Sequence, residues 1–127
     1  SVLQMSFGFV ACASALWLSS TNESAAHLMS AVLFDGSRIR DHKQIRPLCP
    51  VRLIFAEREA AFDAPALTAE LRELGHQAEL VRHTSHGFMN PYSRGFDVKT
   101  QAIYLDQLAA LAQELSTTTP FDELACA

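Results

Sequence analysis

The stretch VRLIFAEREAAFDAPALTAELRELGHQAELVRH, residues 51–83, decides the fold. Val51 to Ala56 is a short apolar run of strand length. Asp63 is a good N-cap, and Pro65 falls in the first turn of the helix it would start. Leu67, Leu71 and Leu74 recur at helical spacing, with Glu70, Arg72 and Glu73 on the wet side. Gly75 suits the position just past the helix end. Gln77 to His83 then alternates apolar and polar, as an edge strand does. A strand, a crossover helix and a second strand imply parallel pairing.

Reading outward, Val2 to Met5 is a short apolar strand, and Phe7 to Ser20 reads as a mostly buried helix. Met29 to Phe34 is another strand, stopped by the turn signal Asp35-Gly36. Ser37 to Cys49 is a connecting loop with room for a helical turn. Its Arg38, Arg40, Lys43 and Arg46 read as a solvated surface, with attraction of an anionic substrate as the minority reading. After a loop from Thr84 to Phe96, Asp97 caps a long helix to about Leu115. Its apolar stripe is expected to be Ile103, Leu105, Leu108, Leu111, Ala112 and Leu115. The fold class is therefore α/β: about four parallel strands flanked by helices over residues 1–115, with a flexible tail at 116–127.

The chain has 127 residues, 49% of them hydrophobic, and a net charge of -4. That composition supports a buried core and offers neither a nucleic-acid footprint nor a basic membrane surface. No apolar run reaches the ~20 residues that span a bilayer. Cys12, Cys49 and Cys126 fit neither a zinc site nor a redox pair, and free thiols suit a cytoplasmic protein. No metal and no cofactor is expected.

The chemistry-bearing residues fall just past strands. Ser6 follows the first strand and precedes Gly8, where a tight strand-to-helix turn would expose a nucleophilic hydroxyl. The Phe7 N–H would then face a developing oxyanion. His86 follows the fourth strand and could take the serine proton. Glu59, just past the third strand, would orient the imidazole, with Asp35 after the second strand as the alternative acid. Glu57 is expected to face away. His27, His42, His76 and His83 read as ordinary surface histidines. A serine, an acid and a histidine, in that chain order, form the layout of a serine hydrolase on a parallel sheet.

Two segments also resemble a family. Pro50 to Glu59 looks like the strand-plus-acid segment of α/β-hydrolases. Ser85-His86-Gly87-Phe88-Met89-Asn90-Pro91-Tyr92, followed by Gly95-Phe96-Asp97 and a long helix, is similar to the histidine loop of the dienelactone hydrolase family. The resemblance runs from Val2 to about Leu115. It implies the C-terminal half of an α/β-hydrolase fold, with the N-terminal half absent from this chain. It implies hydrolysis of a small-molecule ester or lactone, with Ser6 as nucleophile, Glu59 as acid and His86 as base. Gln4 stands where the family's turn carries glycine, and Glu59 where it carries aspartate. These departures keep open a rival reading, a non-catalytic interaction module derived from such an enzyme. The first strand, as an open apolar edge, is a candidate surface for self-association. A nucleotide-binding sheet is disfavoured, because no Gly-rich phosphate loop follows any strand.

Overall fold

The computed structural model of the chain describes residues 17–21 and 30–114 in full, and the backbone of residues 3–6 and 115–118. The expected helix from Phe7 to Ser20 lies mostly outside the described residues; Trp17 to Ser19 are helical.

Among the described residues four strands form one sheet: β1 (Leu3–Ser6), β2 (Ser30–Phe34), β3 (Val51–Arg58) and β4 (Gln77–Ser85). They lie side by side in chain order, and each neighbouring pair is parallel. A short 3-10 helix, Ser37–Asp41, occupies the link between β2 and β3. Helix α1 (Ala64–Glu73) joins β3 to β4, and α2 (Val98–Thr118) follows β4. The α/β class expected from the sequence is thus what the chain adopts.

The elements form where local chemistry predicts. Asp63 caps α1, its Oδ1 accepting the Ala66 N–H at 3.1 Å, and Pro65 sits in the first turn. Gly75 takes φ +92 just past the helix end, a backbone state that favours glycine. Asp97 caps α2 through Oδ1, which accepts the N–H groups of Lys99 and Thr100 at 3.1 Å.

Both faces of the sheet are covered, as a parallel sheet requires. On one face Leu33, Leu53 and Phe55 pack against Leu67 and Leu71 of α1, with Trp17 and Ile39. On the other face Val32, Phe34, Ile54 and Ala56 pack against Phe88, Met89 and, from α2, Tyr104 and Leu108. The alternation along β2 and β3 sends successive side chains to opposite cores.

Three expectations need correction. First, β3 and β4 run further than the apolar pattern suggested, to Arg58 and Ser85. Their polar ends reach the rim of the sheet, where backbone pairing continues after the core has stopped. Second, the buried stripe of α2 centres on Tyr104 and Leu108, whereas Ile103 and Leu105 are 56% and 42% exposed. The two exposed residues sit about 100° to either side of Tyr104 on the helix. Third, α2 continues to Thr118, so the segment from residue 116 begins as helix.

Candidate functional site

In a parallel sheet all strand ends with free carbonyls lie along one edge, where ligands gather. Ser6 is the last residue of β1. Asp35, Glu59 and His86 each come one residue after β2, β3 and β4. Backbone bonds hold these exits level: Asp35 N–H donates to the Ile54 carbonyl at 2.8 Å, and His86 N–H to the Arg58 carbonyl at 3.2 Å.

The approach of β4 to His86 is irregular. Val81 pairs with Ala56 and Ser85 with Arg58, so Arg82, His83 and Thr84 stand against Glu57 alone. This bulge is closed by His83 in the left-handed region, at φ +63. Glu57 Oε1 accepts the His83 N–H at 2.8 Å, and Arg58 donates to the His83 carbonyl at 3.1 Å and to Ser85 Oγ at 2.9 Å. Glu57 therefore serves the bulge, and it shares the wall of one cleft with Glu59 and His86. The sequence reading gave His83 no part in this, because a bulge leaves no periodic mark.

Past the bulge the chain folds back on itself. Gly87 lies at φ +83, and a Cβ there would collide with Ser93. A Cβ on Gly95 would collide with the His86 carbonyl oxygen. Ser93 Oγ donates to that same carbonyl at 3.2 Å and accepts the Gly95 N–H at 3.1 Å. Phe88 and Met89, 0% and 2% exposed, anchor the loop in the core beneath.

The histidine and its acid meet. His86 Nδ1 and Glu59 Oε1 are 2.8 Å apart, and the Glu59 side chain is 3% exposed against 36% for His86. Nδ1–H donates to the carboxylate, which makes Nε2 the ring's proton acceptor. Among the described residues no hydrogen-bond partner engages Nε2. The bond to Glu59 raises the His86 pKa above its ordinary value, against the opposing effect of burial.

Asp35, the alternative acid, takes a different place. It is fully buried, and its Oδ2 accepts the Gly87 N–H at 2.9 Å while Oδ1 accepts the Ala56 N–H at 3.3 Å. Burial pushes its pKa up to about 6, with the Gly87 N–H opposing the shift. Glu59, not Asp35, carries the imidazole. The left-handed residue of the turn is also Asp35, at φ +57, while Gly36 has φ -77.

Ligand atoms of Asp35, Glu59 and His86 lie within 4.8 Å of one another, close enough to suggest a metal centre. Their hydrogen bonds argue for another use. Both Asp35 oxygens already accept backbone N–H groups, and Glu59 Oε1 accepts the imidazole. A cation there would have to share oxygens already engaged in these bonds.

An open cleft of about 750 Å³ adjoins the pair, with Phe62, Pro65, Ser93 and Arg94 among its walls. The Ser6 side chain and all of Phe7 lie outside the described residues, so the structure brings together Glu59, His86 and Asp35 and leaves the nucleophile's geometry open. Gln4 is a β1 residue opposite Ala31. Among the other histidines, His76 is tied to structure: its Nε2 lies 2.9 Å from the Lys43 carbonyl, and its ring meets Trp17 edge-on. Cys49 is buried and free. Among the described residues no helix is long and apolar enough to cross a membrane.

No protein-family model matches the sequence, and no solved structure matches it. Over 102 residues the chain is 36% identical to the uncharacterized protein YczH of Bacillus subtilis (strain 168), a stretch covering 76% of this chain and 49% of that protein. The chain thus spans about half the length of the curated relative it matches.

Proposed function

We propose that this chain belongs to a serine hydrolase of carboxylic esters or lactones, built like the dienelactone hydrolases on an α/β-hydrolase fold. The observation that carries the reading is the His86–Glu59 pair, 2.8 Å apart at the carboxyl edge of a parallel sheet. A surface histidine has little use for an acid on its Nδ1 side whose side chain is only 3% exposed; a general base does.

In this scheme Ser6 Oγ attacks the acyl carbon while His86 Nε2 takes its proton. Glu59 holds the ring and stabilises the imidazolium. The Phe7 N–H donates to the oxyanion of the tetrahedral intermediate. Collapse expels the alkoxide, which takes the proton from His86; in a lactone it stays tethered to the acyl group. Water, deprotonated by His86, then attacks the acyl-enzyme, and its breakdown returns the proton to Ser6 and frees the acid.

The test is labelling of the full-length protein by a fluorophosphonate probe together with turnover of small esters. Labelling that disappears in Ser6→Ala, with turnover lost in His86→Ala, supports the reading. A folded protein that neither labels nor turns over esters overturns it and favours the interaction module.

A further inference from the structure

The hydrolytic scheme gives Asp35 no step, yet the fold holds it at some expense. The residue is completely buried and sits in the left-handed region at φ +57. Non-glycine residues are uncommon there, and such strain gathers where the surroundings require it. A residue needed only for the turn would have no call for distant donors. Asp35 instead binds two backbone N–H groups, of Ala56 and Gly87, which are 21 and 52 residues away in the chain.

These two donors are informative. Ala56 belongs to β3, three residues before Glu59. Gly87 follows His86 directly, so its N–H is part of the peptide that leaves the histidine. The carboxylate thereby joins the exits of β2, β3 and β4 at one point. Charge-assisted bonds in a dry interior are stronger than neutral ones. Glu59 holds the imidazole at Nδ1, and Asp35 holds the backbone from which that imidazole projects.

We propose that Asp35 is a positioning residue for His86: its buried carboxylate anchors the Gly87 N–H to the ends of β2 and β3 and so sets the imidazole at Glu59. The proposal rests on the reading of His86 as the general base and extends it to a second carboxylate that never touches substrate.

Asn and Gly both tolerate a positive φ, so Asp35→Asn and Asp35→Gly remove the carboxylate and spare the turn. Asn keeps one oxygen able to accept the Gly87 N–H, which sets an order: wild type, then D35N, then D35G. Three readouts apply to the full-length protein. The low-field proton resonance of His86 Nδ1–H, assigned by its loss in Glu59→Gln, broadens in D35N and disappears in D35G. The Gly87 amide exchanges with solvent roughly 10-fold faster in D35N and more so in D35G. The kcat for ester turnover falls on the order of 10²-fold with KM within about two-fold, as misplacement of a catalytic group predicts. Unchanged resonance and exchange in D35G overturn the proposal; if D35G does not fold, D35N decides by the same two signals. A wild type without turnover whose resonance and exchange still depend on Asp35 defeats the hydrolase reading and leaves the anchoring role standing.

Discussion

Glu59 Oε1 and His86 Nδ1 meet at 2.8 Å although 27 residues separate them in the chain. The intervening residues are α1 and β4, so the meeting is made by a strand–helix–strand unit that returns the chain to the same edge of the sheet. Each partner enters from a fixed exit, Glu59 from β3 and His86 from the bulged end of β4. The pair is therefore as rigid as the two strands that carry it.

Glu59→Gln should separate orientation from basicity. In the proposed scheme His86 is a general base, which works only when neutral, so kcat/KM should rise as pH passes its pKa. The hydrogen bond with Glu59 raises that pKa. Removing the charge moves the acidic limb of the profile to lower pH. The plateau falls at the same time, by roughly 10²–10⁴-fold, as imidazole orientation is lost. A pH–rate profile of the variant checks both; a lower plateau with an unmoved limb would contradict the assigned partnership.

Asp35 should make stability depend on pH in the direction opposite to a salt-bridged carboxylate. Burial lifts its pKa from 3.8 to about 6. Between those values the folded state holds a proton that the unfolded state has released. Stability from this group is thus fully present below the unfolded pKa and is lost as pH rises through about 6. The full effect is about 3 kcal/mol at most, from roughly 1.4 kcal/mol per pKa unit. His86 has a raised folded pKa too, and its contribution likewise fades as pH climbs through that value. Urea denaturation of wild type and Asp35→Asn between about pH 3.5 and 7 should show wild type losing stability relative to the variant as pH rises, with the variant lacking the Asp35-linked decline.

Much of this was legible in the sequence. Asp63 and Gly75 bound α1 as their chemistry dictates, and Leu67 and Leu71 are only 6% and 0% exposed, as their spacing implies. Glu59 and His86 were legible because a polar residue just past a parallel strand has few places to go. The role of Asp35 was not legible. Its partners are backbone N–H groups, which leave no trace in side-chain identity. Nor was the bulge, since His83 reaches its left-handed state through bonds from Glu57 and Arg58 that only the paired strands reveal. The stripe of α2 was misjudged because Tyr104 carries a polar tip, and the reading counted aliphatic residues in its place.

Gly95→Ala should damage the site from behind. The new methyl would collide with the His86 carbonyl oxygen and approach the Ser85 oxygen at 3.1 Å. Both are backbone atoms of the strand exit, so neither can move without carrying His86 along. The expected cost is roughly 1–3 kcal/mol of stability. Ester turnover should fall further than stability alone explains, on the order of 10²-fold, because the imidazole shifts relative to Glu59. Chemical denaturation and kinetics on the same preparation check this; full activity in a destabilised variant would show that the loop absorbs the methyl elsewhere.

Tyr104 should divide packing from hydrogen bonding beneath the histidine loop. Its ring meets Phe34 edge-on at 5.6 Å and Phe88 at 6.1 Å, and its hydroxyl donates to the Glu79 carboxylate. Glu79 also pairs with Arg52 at 2.9 Å and is 39% exposed, so water can replace the lost hydroxyl. Tyr104→Phe keeps the ring contacts and should cost about 1 kcal/mol. Tyr104→Ala empties a buried site between α2 and the sheet and should cost roughly 3–5 kcal/mol. Because Phe88 lies two residues after His86, only the alanine variant should also lower turnover. The pH dependence supplies an independent check. Burial first, and then Glu79, push the Tyr104 pKa above its ordinary value of 10.0. The stabilising contribution is therefore present below that value and lost as pH rises past it toward the folded pKa. Tyr104→Phe should remove this alkaline loss, so wild type and variant should draw together in denaturation midpoint above about pH 10. A constant difference between them across that range would mean that burial and Glu79 do not hold the hydroxyl protonated.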